Sequence, residues 1–136
     1  MGILLDTSFL IAVNNPKDVN YGNAQAIKAR IKNMELGHSY FSDYIFDEFV
    51  TFLKAKRVSP EKITEIGEAL LLDENIKLLR VDATVFSQSW DLFKKRQALS
   101  FTDCTTAILA REFNIKNVAS FDADFNSIGF VKRIES

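Results

Sequence analysis

A chain of 136 residues with 47% apolar residues has the length of one domain and enough apolar material to close one core. Its formal charge of −1 excludes a uniformly basic surface that gains affinity by neutralising many phosphates, though not a local basic rim. One cysteine, Cys104, excludes an internal disulfide, so the chain reads as soluble and cytoplasmic, with Cys104 a small apolar helix residue.

Short apolar runs alternate with longer segments of helical period, without repeats or linkers. Residues 1–136 are therefore expected to form a single α/β domain around a mostly parallel sheet of four to five strands. Ile3-Leu4-Leu5 is the first strand, stopped by Asp6-Thr7-Ser8, where a helix starts; no leader is expected. Lys17 to Met34 is a second helical segment, with Ala24, Ile27 and Ile31 on its apolar face and Leu36-Gly37 as the stop. His38 to Phe41 is a short strand. Ser42-Asp43 then caps a helix that buries Ile45, Phe46, Phe49, Phe52 and Leu53. Pro60 opens the next helix. Ile76 to Val81 is a third strand, followed by a helix carrying Phe86, Trp90 and Phe93 four and three apart. Thr102 is expected to cap a helix running to Asn114, Val118 to Phe121 to form a fourth strand, and Phe130 to Ile134 an edge strand. Most of the twelve phenylalanines belong in the core, with a few left for a partner surface.

The placement of the acids carries the functional information. Asp6 closes the first strand, Asp103 opens a helix, Asp122 closes the fourth strand, and Glu48 lies a turn inside the helix after the second strand. Ligand sites of open parallel sheets form outside the carboxyl ends of the strands, so these acids can meet. Singly, Asp6, Asp43, Asp82 and Asp103 read as helix caps. As a set they need a cation, because two carboxylates about 4 Å apart repel by about 4 kcal/mol at an effective dielectric near 20. Oxygen ligands without histidine favour Mg²⁺ or Mn²⁺ over zinc, and the one histidine, His38, reads as a strand-end residue.

Other acid-bearing α/β families fit poorly. A haloacid-dehalogenase phosphatase needs a second Asp two residues after the first, where this chain has Ser8. A response-regulator receiver needs an acidic pair at the first strand, and no dinucleotide or Walker glycine loop is present. The chain resembles the PIN-domain family at four motifs in order: Leu4-Leu5-Asp6-Thr7-Ser8, Asp43-Tyr44-Ile45-Phe46-Asp47-Glu48, Leu99-Ser100-Phe101-Thr102-Asp103 and Val118-Ala119-Ser120-Phe121-Asp122. Within that family it is similar to VapC-type toxins of prokaryotic toxin–antitoxin pairs.

The resemblance implies a three-layer α/β/α fold and a metal-dependent endoribonuclease leaving a 5′-phosphate and a 3′-hydroxyl. It assigns Asp6, Glu48, Asp103 and Asp122 as catalytic metal ligands holding Mg²⁺ or Mn²⁺, with Asp124 as a further or outer ligand. The implied partners are an RNA substrate, a small antitoxin and, as is frequent in the family, a second copy in a homodimer; no membrane is involved. Thr7, Ser8, Thr102 and Ser120 are hydroxyls placed to orient carboxylates, or else caps. Two basic clusters, Lys54/Lys56/Arg57 and Lys94/Lys95/Arg96, are candidates for phosphate contacts or simply solvated helix ends. The competing reading is a PIN-like scaffold that binds RNA or protein without cutting, which would have no use for four convergent acids.

Overall fold

The computed structural model describes residues 1–136. Five strands form one sheet: β1 (Gly2–Leu5), β2 (His38–Ser42), β3 (Ile76–Leu79), β4 (Asn117–Ala119) and β5 (Lys132–Ile134). Their order is β3-β2-β1-β4-β5, and every neighbouring pair is parallel. Six helices connect them: α1 (Thr7–Val13), α2 (Tyr21–Lys32), α3 (Asp43–Ala55), α4 (Pro60–Leu72), α5 (Ala83–Lys95) and α6 (Phe101–Glu112). A 3₁₀ turn, Ala123–Ser127, bridges β4 to β5.

The central strand β1 is buried at every position, as a parallel strand covered on both faces must be. Its side chains alternate between two cores. Ile3 and Leu5 join Phe9, Ala24, Ile27, Ile45, Phe49 and Leu70 beneath α1–α4. Leu4 points the other way, to Val85, Leu99, Ile108, Leu109 and Val118 beneath α5 and α6. The result is the expected α/β/α layering, with all five strands parallel.

The departures from expectation sit at element ends. The second helix is shorter, Tyr21–Lys32, and the chain reverses at Gly37, whose φ is 77°. A Cβ there would lie 2.5 Å from the Met1 carbonyl oxygen, so only glycine fits. β3 stops at Leu79 because the Val81 N–H leaves the ladder and donates to Asp43 Oδ1 at 3.0 Å. The cap of α6 is Ser100 rather than Thr102. Its hydroxyl accepts from Asp103 N at 3.1 Å while Asp103 Oδ2 accepts from Ser100 N at 3.1 Å, a reciprocal capping box. On α5 the buried residues are Val85 and Ser89, and the Phe86–Trp90 stripe faces solvent.

The strand order also locates the crevice. The chain moves from β1 outward through β2 to β3, then crosses back to β4 on the opposite side of β1. Connections leaving β1 and β4 therefore diverge to opposite faces, opening a cleft at the carboxyl ends of these two neighbours.

Candidate active site

Asp6 stands directly in that cleft. Its N–H donates to Ala119 O at 3.0 Å, extending the β1–β4 ladder by one bond and fixing the carboxyl at the strand end. Although Asp6 occupies the N-cap position of α1, its side chain caps nothing, so the cap explanation fails for this residue. Instead Oδ2 accepts hydrogen bonds from Ser120 Oγ at 2.8 Å and Ser8 Oγ at 3.0 Å. Those hydroxyls are themselves held, Ser8 Oγ by Phe121 N and Ser120 Oγ by Asp122 N, each at 3.0 Å. Asp6 is only 3% exposed, and its other oxygen, Oδ1, is buried without a partner. Thr7 Oγ1 beside it is the only other such oxygen in the molecule.

Burial raises the Asp6 carboxyl above the ordinary carboxylate range; the two serine hydroxyls and the nearby Thr7 backbone N–H oppose the shift, and the charge of Glu48 adds to it. Asp103, third in α6 and 8% exposed, is pushed up to about 6. Desolvation is the main cause, followed by the charge of Asp6; the bonds from Ser100 oppose it, and Asp122 adds a smaller upward push. Glu48 is half-buried one turn into α3, where Ser42 caps the helix through Ile45 N at 3.0 Å. Asp122 caps the 3₁₀ turn, with Oδ1 accepting from Asp124 N at 2.9 Å.

These couplings link Glu48 to Asp6, Asp6 to Asp103 and Asp103 to Asp122 at one end of the sheet. No cation offsets them, since every ion pair in the molecule lies elsewhere. The four side chains do not close into a cage of three adjacent ligands. Asp124 is exposed and outside this chain of couplings. The donor set nevertheless suits a hard divalent ion. It is all carboxylate, it includes a buried oxygen with nothing to bond, and an unpaired buried acceptor costs roughly 1–3 kcal/mol.

The remaining candidates divide clearly. Ser8 and Ser120 orient Asp6. Thr102 contributes its carbonyl, which accepts from Thr105 Oγ1 and Thr106 Oγ1, and its hydroxyl orients no acid. His38 begins β2, at the amino end of the sheet and so at the end opposite the acids. Cys104 is buried in the core, its thiol pushed up to about 11 by desolvation and by the Asp103 charge, which leaves no nucleophile. Lys54 lies roughly 9 Å beyond Glu48 along the α3 axis, at the end of the helix remote from the cleft. Lys95 is different: only Arg96–Ser100 separates α5 from the start of α6, which holds the basic run within about 20 Å of that helix end. Two positioning groups escaped the sequence. Ser100 had a readable signal in its Ser-x-x-Asp spacing, whereas Asp43, which ties α3 to the segment after β3, had none.

A family model described as the PIN domain matches residues 3–131. The 23S rRNA-specific endonuclease VapC20 of Mycobacterium tuberculosis (strain H37Rv) is 27% identical over 132 residues, covering 96% of both chains. A VapC ribonuclease of Archaeoglobus fulgidus is 26% identical over 129 residues, covering 93% of this chain and 80% of that protein. Among solved structures, the crystal structure of Mycobacterium tuberculosis VapC20, described as a sarcin-ricin loop cleaving toxin, superposes with a TM-score of 0.81. It is 27% identical and covers 95% of this chain and 96% of its own. VapBC2 from Rickettsia felis, bound to a promoter DNA fragment, shares the fold with a TM-score of 0.71 at 15% identity, covering 98% of this chain and 97% of its own.

Proposed function

The chain belongs to the PIN-domain family, and from that membership we propose that it is a divalent-metal-dependent endoribonuclease, the toxin of a toxin–antitoxin pair. Asp6, Glu48, Asp103 and Asp122 would hold Mg²⁺ or Mn²⁺, directly or through water, with Asp124 an outer contributor from the 3₁₀ turn. The observation that carries the reading is Asp6: a carboxylate almost wholly out of water, surrounded by other acids, without a compensating cation and with one oxygen unbonded. A scaffold gains nothing from such a cluster, which opposes folding unless an ion joins it.

When bound, the ion would offset charge on the phosphoryl oxygens and lower the pKa of an attacking water. The chain's own contributions follow from its geometry. Ser8 and Ser120 hold Asp6 in one orientation, leaving Oδ1 as its free donor atom. The capping box fixes Asp103 at the mouth of α6, where its proton is lost near neutral pH. The half-buried Glu48 and Asp122 complete the set from α3 and the β4 end.

For the antitoxin, we propose a seat in the groove of about 660 Å³ on the α1–α4 side of the sheet, lined by Phe9, Leu10, Val13, Ile31, Ile66 and Leu70. An amphipathic helix could lay its apolar face there.

The test is cleavage of single-stranded RNA by the purified full chain with Mn²⁺ or Mg²⁺, alongside Asp6→Asn and Asp103→Asn. Metal-dependent cutting that disappears in both folded variants supports the assignment. Equal cutting by all three proteins means a contaminant, and absence of calorimetric Mn²⁺ binding returns the chain to the scaffold reading.

A further inference from the structure

A second cavity lies at the amino end of the sheet, away from the acids. Its volume is about 490 Å³, and it opens between the last turn of α6 and the starts of β4 and β5. Arg111, Lys116 and Lys132 line it together with Asn114 and Phe130, and none of its 9 lining residues is acidic. No ion pair in the molecule involves any of these three cations. In a chain of net charge −1 the cavity is therefore a local concentration of positive charge.

Local bonding fixes the walls. The Lys132 N–H donates to Lys116 O at 2.7 Å, which sets the two lysines at neighbouring strand starts. The Arg111 guanidinium stands 5.4 Å from the Phe130 ring centroid, and its Nη2 donates to Gln88 Oε1 on α5 at 3.4 Å. One ring contact and one hydrogen bond restrain that guanidinium and leave its other N–H groups for an incoming acceptor. Local roles account for the cations only one at a time. Arg111 suits the negative end of the α6 dipole, and Lys132 on the edge strand β5 discourages pairing with another chain. Neither role explains three cations around one hollow without a counter-charge, since each raises the energy of the others.

We infer that this cavity is an anchoring subsite for backbone phosphates of a folded RNA whose scissile strand reaches the acidic cleft. It rests on the ribonuclease reading and supplies an attraction that a carboxylate cluster cannot. Charge complementarity selects the occupant, because RNA carries a phosphate at every step and such contacts position a strand without reading its sequence. Arg111 follows Asp103 on the same helix, about 12 Å further along its axis. One strand of a duplex rises about 3.4 Å per step, so roughly four steps cover that distance. An RNA with a stem beside the cleaved strand can touch both ends of α6, and the subsite favours it over a very short strand.

The experiment measures binding of a labelled RNA hairpin to the full chain in EDTA, by anisotropy, at several salt concentrations. Lys116→Gln/Lys132→Gln is compared with Lys28→Gln/Lys32→Gln, which removes the same charge from α2 on the other face of the sheet. All four lysines are exposed, so neither pair threatens the fold. Loss of two phosphate contacts should lower the slope of log affinity against log salt by about 1.4–1.8 in the cavity variant, and leave it unchanged in the α2 variant. With Mn²⁺ present, the cavity variant should cut the hairpin with a raised KM and an unchanged kcat, as loss of uniform binding requires. An unchanged slope in the cavity variant, or an equal fall in the α2 variant, overturns the subsite. A fall in kcat at constant KM overturns the anchoring role. If the parent chain still cuts the hairpin when the slope is unchanged, the nuclease reading survives alone. A parent chain that neither binds nor cuts RNA overturns both. An unchanged RNA slope together with weaker polyglutamate binding by the cavity variant assigns the cavity to an acidic protein segment and overturns the RNA subsite.

Discussion

Replacing Asp103 by Asn should stabilise the metal-free protein while abolishing its activity. The carboxyl ionises near 3.8 in an ordinary setting and near 6 in the fold, a displacement of about two units. At roughly 1.4 kcal/mol per unit, the folded state forgoes about 3 kcal/mol at pH 8, where both states would otherwise ionise freely. The sign follows from proton binding. Between pH 4 and 6 the folded chain retains a proton that the unfolded chain has lost, so stability falls as pH rises through this window and stays low above it. Asn at this position keeps an oxygen to accept from Ser100 N, so the capping box loses strength rather than its whole bond. The variant's advantage in EDTA should therefore grow from under about 1 kcal/mol at pH 4 to about 2–3 kcal/mol at pH 8. Urea unfolding of both proteins at several pH values measures it. With Mn²⁺ at a thousand times its dissociation constant, the parent chain should gain about 4.1 kcal/mol and the order reverse. An advantage that is absent, or equal at pH 4 and pH 8, would refute the claim that Asp103 is held against repulsion and desolvation.

Other substitutions probe the supports of the cleft. Ser120→Ala removes a donor from Asp6 Oδ2 and an acceptor from Asp122 N, and should reduce Mn²⁺ affinity about 10- to 100-fold by calorimetry. Ser100→Ala deletes half of the capping box and should cost about 1 kcal/mol, read as a lower urea midpoint with an unchanged slope. Phe49→Ala empties the centre of the α1–α4 core and should cost about 3–5 kcal/mol, with amide exchange accelerating in β1 and α3 together.

Residues that announce element boundaries were legible in the sequence, and contacts across long chain separations were not. Asp6 could be found because it ends an apolar run, and Asp103 because it stands where a helical period begins. The layering followed from the same alternation, since Ile3, Leu4 and Leu5 leave no polar face for water. The grip of Ser120 on Asp6 joins residues 114 apart, and that of Asp43 on Val81 residues 38 apart; no local pattern encodes either. Thr102 and Ser100 show the limit at short range. Both are plausible caps for α6, and the choice falls to Ser100 because Asp103, three residues on, can return its bond. Periodicity placed Phe86, Trp90 and Phe93 on one side of α5, but a period says which side is apolar and not what covers it.

The position of β1 between β2 and β4 has a consequence for how the protein is born. Asp6 emerges first from the ribosome, yet the hydroxyl and carbonyl that seat it belong to Ser120 and Ala119, and Asp122 is 116 residues away. At 5–20 residues per second, that interval is roughly 6–23 seconds of synthesis. Until it has passed, β1 has an open edge and the acids have no common cleft. On the ribonuclease reading proposed above, the nascent chain is unable to cut nearby RNA until Asp122 has been made.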